Sequence, residues 1–142
     1  MRTHSTGFTL IELIVLIGII AILAAIAFPR YVMLEVEARK ALVLSLGGSV
    51  NSAASQAHYM WILQGQPAVI SMEDQSINMV NGYPDEASID NTLMDYTGFQ
   101  FNNSKVARFR KVGAPAPNTC MVTYEDAVGG NRPAVTVYTS GC

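Results

Sequence analysis

Glu12 is the one charged residue in an apolar run that covers residues 8–28. At about 1.5 Å per residue, a helix over those 21 positions is about 31 Å long, close to the ~30 Å hydrocarbon core of a bilayer. An ionised carboxylate in that setting loses hydration and calls for a positive partner. No Lys, Arg or His stands between Leu13 and Phe28, and Arg30 lies about 27 Å further along a helix. A free amine created by cleavage would supply the missing charge. If the bond after Gly7 is cut, the new N-terminus falls on Phe8, one helical turn before Glu12, where its own or a neighbouring copy's amine can meet the acid. The chemistry on offer is ion pairing in a dry environment.

An ordinary signal peptide is the plainer reading of the same stretch, with a secretory cleavage site near residues 24–27. Its apolar region is about 7–15 residues long and has no use for an internal acid. Glu12 therefore argues against it.

The string Gly7-Phe8-Thr9-Leu10-Ile11-Glu12-Leu13, with an apolar helix ending in Ala27-Phe28-Pro29-Arg30-Tyr31, resembles the class III signal of type IV pilins and secretion pseudopilins. The resemblance implies cleavage between Gly7 and Phe8 by a membrane prepilin peptidase that also methylates the Phe8 amine. It implies three segments: a leader at 1–7, a hydrophobic transmembrane and assembly helix at 8–29, and a head domain at 30–142. Glu12, with Thr9 beside the amine, is then expected to set subunit register during assembly. The implied partners are further copies of the chain in a helical filament, the peptidase, and an inner-membrane assembly platform. Many relatives carry glycine midway along the anchor at the position of Ala21, whereas this chain has Gly18.

Composition agrees with one exported domain on an anchor. The 142 residues are half hydrophobic and carry a formal net charge of −2, which does not suggest a protein that binds polyanions through bulk charge. Arg2 and His4 before the span favour a cytoplasmic N-terminus. Localisation is expected to be the inner membrane first and an extracellular pilus afterwards. The two cysteines, Cys120 and Cys142, fall in the exported part, where an oxidising compartment permits a disulfide. Pairing them would contribute roughly 3 kcal/mol in the chain-entropy account. Two buried free thiols are the alternative.

Beyond Pro29 the pattern becomes amphipathic. Leu42, Leu46, Val50, Ala53, Ala57 and Met60 or Trp61 recur at helical steps and predict one buried face. This helix should kink near Pro29, which removes a backbone donor, and stop at Gln64-Gly65. Gly47-Gly48 inside it suggests close packing against a sheet or, alternatively, a flexible point. Strands are expected at 68–72, 77–80, 99–102, 106–112, 120–125 and 134–139, with a turn at 81–84 and a short helix at 85–95. The fold class is α+β: a long N-terminal helix packed on an antiparallel sheet with a C-terminal disulfide loop, which resembles the pilin fold.

No catalytic constellation is present. His4 and His58 cannot make a His-based metal cluster within one mature chain, and no phosphate loop, nucleophile elbow or zinc-type spacing occurs. The reading is of a non-enzyme without cofactor or metal. Lys105, Arg108, Arg110 and Lys111 form a basic cluster whose readings are a solvated sheet face, a subunit contact with acids such as Glu35 and Glu37, or DNA phosphate. Glu-Ala-Arg in the exposed helix, Asn81-Gly82-Tyr83-Pro84 and Ser140-Gly141-Cys142 resemble the mannose-sensitive haemagglutinin pilins within the type IVa group, which implies a surface or glycan ligand. The expected function is a major pilus subunit for attachment and surface motility. The alternatives are a type II secretion pseudopilin, a minor pilin of a pilus or DNA-uptake machine, and a monomeric anchored adhesin.

Overall fold

A computed structural model describes residues 7–142, so Arg2 and His4 of the expected leader lie outside the described residues. The chain divides into two compact units, Met1–Val36 and Glu37–Cys142. In the first, helix α1 (Leu10–Leu63) begins. Residues 7 to 35 are all exposed, and α1 is long and apolar enough to cross a membrane by length and composition. Pro29 stands inside α1, which continues past it.

The second unit is the folded head. There α1 buries Val43, Leu46, Gly47, Val50, Ala53, Ala54 and Ala57, a stripe at three- and four-residue steps. Leu42, expected on this face, is half exposed at 51%. One residue is a turn of about 100°, and Val43 rather than Leu42 continues the line through Leu46 and Val50. The helix ends as its Gln64-Gly65 sequence predicts. Gly65 takes φ 84°, the Gly65 N–H donates to the Ile62 oxygen at 3.2 Å, and the Gln66 N–H donates to the Trp61 oxygen at 2.9 Å. These bonds satisfy carbonyls that the last turn otherwise leaves without partners.

Two antiparallel sheets follow, where one was expected. Strands β1 (Val69–Met72), β2 (Gln75–Val80) and β3 (Tyr83–Pro84) form the smaller one, in that order. Its first turn, Glu73-Asp74, puts both residues at positive φ, 48° and 63°, a hairpin geometry that usually recruits glycine or asparagine. Lacking that signal, the sequence did not show that β2 begins as early as Gln75. Asn81-Gly82 makes the second turn, at φ 51° and 84°. Tyr83 and Pro84, expected as part of that turn, instead pair with Val80 and Met79, and proline is tolerated because β3 is an edge strand.

The helix expected at 85–95 shrinks to a single 3-10 turn, Ile89–Thr92. Asp85 Oδ1 accepts the Ser88 N–H at 2.8 Å and the Ser88 hydroxyl, while Ser88 Oγ accepts the Asn78 N–H at 3.0 Å. Such side-chain bonds compete with helix formation.

Strands β4 (Phe99–Asn102), β5 (Ala107–Lys111), β6 (Met121–Glu125) and β7 (Ala134–Tyr138) form the larger sheet in sequential order. Its register stacks Phe101, Phe109, Val122 and Val137 in one row on the face that joins the core with Val43, Leu46 and Val50. Buried Tyr124 donates its hydroxyl to the Pro84 oxygen at 2.6 Å and so ties β6 to β3. A second cluster, Ala57, Ile70 and Ile77, fills the space between α1 and the smaller sheet. Gly47 is in close contact, since a Cβ there would meet Val137 Cγ2 at 2.6 Å, whereas Gly48 faces open space.

Candidate functional site

The head of the apolar helix carries the residues that the sequence singled out. Gly7 and Phe8 precede the first turn, and Phe8 is 74% exposed. Thr9 is the residue before α1, and its carbonyl accepts the first helical bond, from the Leu13 N–H at 3.2 Å. Glu12 Oε2 accepts both the Thr9 N–H at 2.9 Å and the Thr9 hydroxyl at 2.8 Å. In return the Glu12 N–H donates to Thr9 Oγ1 at 3.3 Å. This is a reciprocal capping box, in which a threonine and a glutamate three residues later each satisfy an orphan backbone donor of the other.

That arrangement gives Glu12 a partner inside its own chain. Its signal in the sequence is Thr-x-x-Glu ahead of an apolar run, a pattern that needs no cation. Both bonds fall on Oε2, so among the described residues Oε1 accepts none. The donors belong to Thr9, so a cut after Gly7 removes neither of them. One carboxylate oxygen is thus held in place, and the other keeps its acceptor capacity unused among the described residues.

At the far end of the chain, Cys120 and Cys142 are joined, with Cα atoms 4.9 Å apart. Arg39 Nε donates to the Cys142 oxygen at 2.5 Å, which fastens the closed loop to α1. Gly141 sits so tightly that a Cβ would come within 2.5 Å of the Ala116 oxygen. Its N–H donates to the Thr119 oxygen at 2.9 Å, and its own oxygen accepts the Ala116 N–H at 3.2 Å.

His58 has a structural partner that its sequence position did not reveal. Its Nδ1 lies 2.6 Å from the Gly82 oxygen, so Nδ1 carries the proton, and its ring stacks on Tyr83 with centroids 4.3 Å apart. Among the described residues no group of three or more His, Cys, Asp or Glu is placed to hold a metal ion. The basic cluster is not a unit. Lys111 turns away to the Gly98 and Val112 oxygens, at 3.1 and 3.2 Å, and lies over the Phe99 ring. Arg108 and Arg110 share the opposite face of the sheet. An acidic corner lies at Asp85, Glu86, Glu125 and Asp126. Burial raises the Glu86 carboxyl above the usual range, helped by repulsion from Asp126, Glu125 and Asp85. Burial, then repulsion from Asp85, raises Asp126.

A capped helix long and apolar enough to cross a membrane, continuing into an α+β head with a disulfide-closed loop, defines a protein of pilin-like fold. Residues 2–28 match the model of the prokaryotic N-terminal methylation motif. The chain is similar to the type IV major pilin protein PilE of Neisseria gonorrhoeae, with 29% identity over 79% of this chain and 67% of that one. It is also similar to a fimbrial protein of Pseudomonas aeruginosa, with 34% identity over 65% and 54% of the two chains. A third relative is the type IV narrow pilus major component PilA5 of Thermus thermophilus, with 53% identity over 35% and 43%. No solved structure matches the chain. The chain carries the type IV prepilin motif and is homologous to type IV major pilins.

Proposed function

We propose that this chain is the major structural subunit of a type IV pilus that attaches cells to surfaces. The observation that carries the reading is the apolar start of α1, exposed through residue 28, with Glu12 as its one carboxylate fixed near its head. Such a helix is at ease in lipid, and it leaves lipid only where its apolar surface is buried elsewhere. A bundle of copies provides that burial, and head-to-tail contacts that do not close on themselves extend it into a filament. Glu12 sets axial register by meeting the methylated Phe8 amine of an adjacent subunit, since an unpaired charge in a dry bundle is penalised.

The chain serves as a building block and not as a catalyst, in keeping with relatives that are structural pilins. A prepilin peptidase cuts between Gly7 and Phe8, an inner-membrane platform adds subunits, and Pro29 bends the helix. The type IVa group and a glycan ligand on the attached surface follow from the subgroup resemblance. Electron microscopy of sheared surface fractions, with mass spectrometry of the N-terminus, tests the proposal. Filaments built of a chain that starts at methylated Phe8 support it. A processed chain confined to the envelope refutes it in favour of a secretion pseudopilin.

A further inference from the structure

The outer face of the larger sheet carries two cations that form no ion pair among the described residues. The register sets Gln100, Arg110, Met121 and Tyr138 in one row and Asn102, Arg108, Thr123 and Thr136 in the next. Arg108 and Arg110 are half buried, on a strand whose alternate residues Ala107 and Phe109 are fully buried in the core. Their stems are thus fixed by a rigid element. Among the described residues neither guanidinium has an ion pair, and Arg110 Nε is buried with no hydrogen-bond partner. Two planar forks about 7 Å apart on one strand face are suited to two carboxylates.

The same chain displays such a pair. Glu73 and Asp74 form the two-residue tip of the β1–β2 hairpin, both exposed, and among the described residues neither meets a cation. We propose that the Arg108–Arg110 face of one copy receives the Glu73–Asp74 tip of a second copy. The inference rests on the filament reading above and adds the head surfaces that meet in it. Charge complementarity selects the occupant: a chain of net charge −2 with an acidic hairpin tip is a better match for two arginines than a polyanion, which needs a longer basic track. Each exposed ion pair contributes at most about 1 kcal/mol and is screened by salt, so the two pairs together select this contact over others without supplying the bulk of filament stability.

A photo-crosslinking amino acid placed at Thr136, which is exposed in the Arg108 row and leaves both arginines intact, tests the contact in the full chain. The expected product, in membranes and in sheared fractions alike, is a dimer whose cross-linked peptide contains residues 69–80. Its yield should fall roughly tenfold, a difference of about 1.4 kcal/mol, in Arg108→Gln/Arg110→Gln and in Glu73→Gln/Asp74→Gln. The charge-swapped quadruple variant, Arg108→Glu/Arg110→Glu with Glu73→Arg/Asp74→Arg, should recover it. Adducts to any other segment, nuclease-sensitive adducts to DNA, no adduct, or yields unmoved by these variants overturn the proposal. Because membrane-held subunits are read directly, a chain that never forms filaments refutes the pilus reading without deciding this one. Intact disulfide and protease resistance confirm that each variant is folded.

Discussion

Adjacent glycines in α1 provide a test with its own control. Gly47 and Gly48 have the same helical backbone, so replacing either by alanine brings the same propensity gain of up to ~1 kcal/mol. They differ in what the new methyl meets: Val137 Cγ2 at 2.6 Å for Gly47 and nothing within 4 Å for Gly48. Valine is stiff at χ1, and Val137 stands in the row with Phe101, Phe109 and Val122, so it yields only by disturbing the sheet. Overpacking of this kind costs about 1–3 kcal/mol. Gly48→Ala should therefore stabilise the head by up to ~1 kcal/mol, while Gly47→Ala ends between neutral and ~2 kcal/mol destabilised. The difference between the variants isolates the steric cost, because the propensity gain cancels. At about 4–8 °C per kcal/mol for a domain of this size, the two melting temperatures should differ by at least ~4 °C. The assay is thermal unfolding of the full chain in detergent under non-reducing conditions, followed by far-ultraviolet circular dichroism. Equal melting temperatures, or a more stable Gly47→Ala, would refute the close approach of α1 to β7.

Glu12→Gln keeps an acceptor for Thr9 and loses the charge, whereas Glu12→Ala loses both; we expect neither to yield sheared filaments while processing at Gly7 persists, and normal filaments from Glu12→Gln would leave the capping box as the residue's only role. Cys142→Ser opens a loop with a sequence separation of 22 and should lower stability by roughly 3 kcal/mol, so unchanged non-reducing thermal unfolding would count against it. The raised carboxyls Glu86 and Asp126 favour the protonated folded form, so their contribution is complete below their ordinary values of 4.5 and 3.8 and is lost as pH rises through the higher folded values. Asp95, held low by Thr97, works in the opposite direction but is common to both proteins compared. Glu86→Gln/Asp126→Asn should therefore gain melting temperature over the parent progressively from about pH 4 to pH 7, and a gap constant across that range would exclude the linkage.

Much of this protein is legible without coordinates because the signals are local. A run of apolar residues of bilayer length, one acid near its head, and a glycine before it specify a long apolar helix and match the N-terminal methylation motif, since hydropathy and such motifs depend on neighbours in sequence. The helix end at Gly65 and the four strands from Phe99 onward were readable for the same reason, through glycine conformation and β-branched or aromatic runs. Other features depended on what lies across the fold. Whether Leu42 or Val43 faces inward is fixed by the sheet that α1 meets, and the helical pattern at 85–95 lost to side-chain bonds from Asp85 and Ser88, one of which reaches Asn78. His58 looked like any helix residue until the Asn81-Gly82 turn brought a carbonyl to its ring. Strand alternation alone already places Arg108 and Arg110 on one face and Lys111 on the other, but only the packing of Ala107 and Phe109 into the core shows that the arginines take the outer face. Spacing along the chain decides which elements form, but packing across the fold decides which of their side chains meet, because partners such as Asn78 for Ser88 and Gly82 for His58 lie on other elements, 10 and 24 residues away.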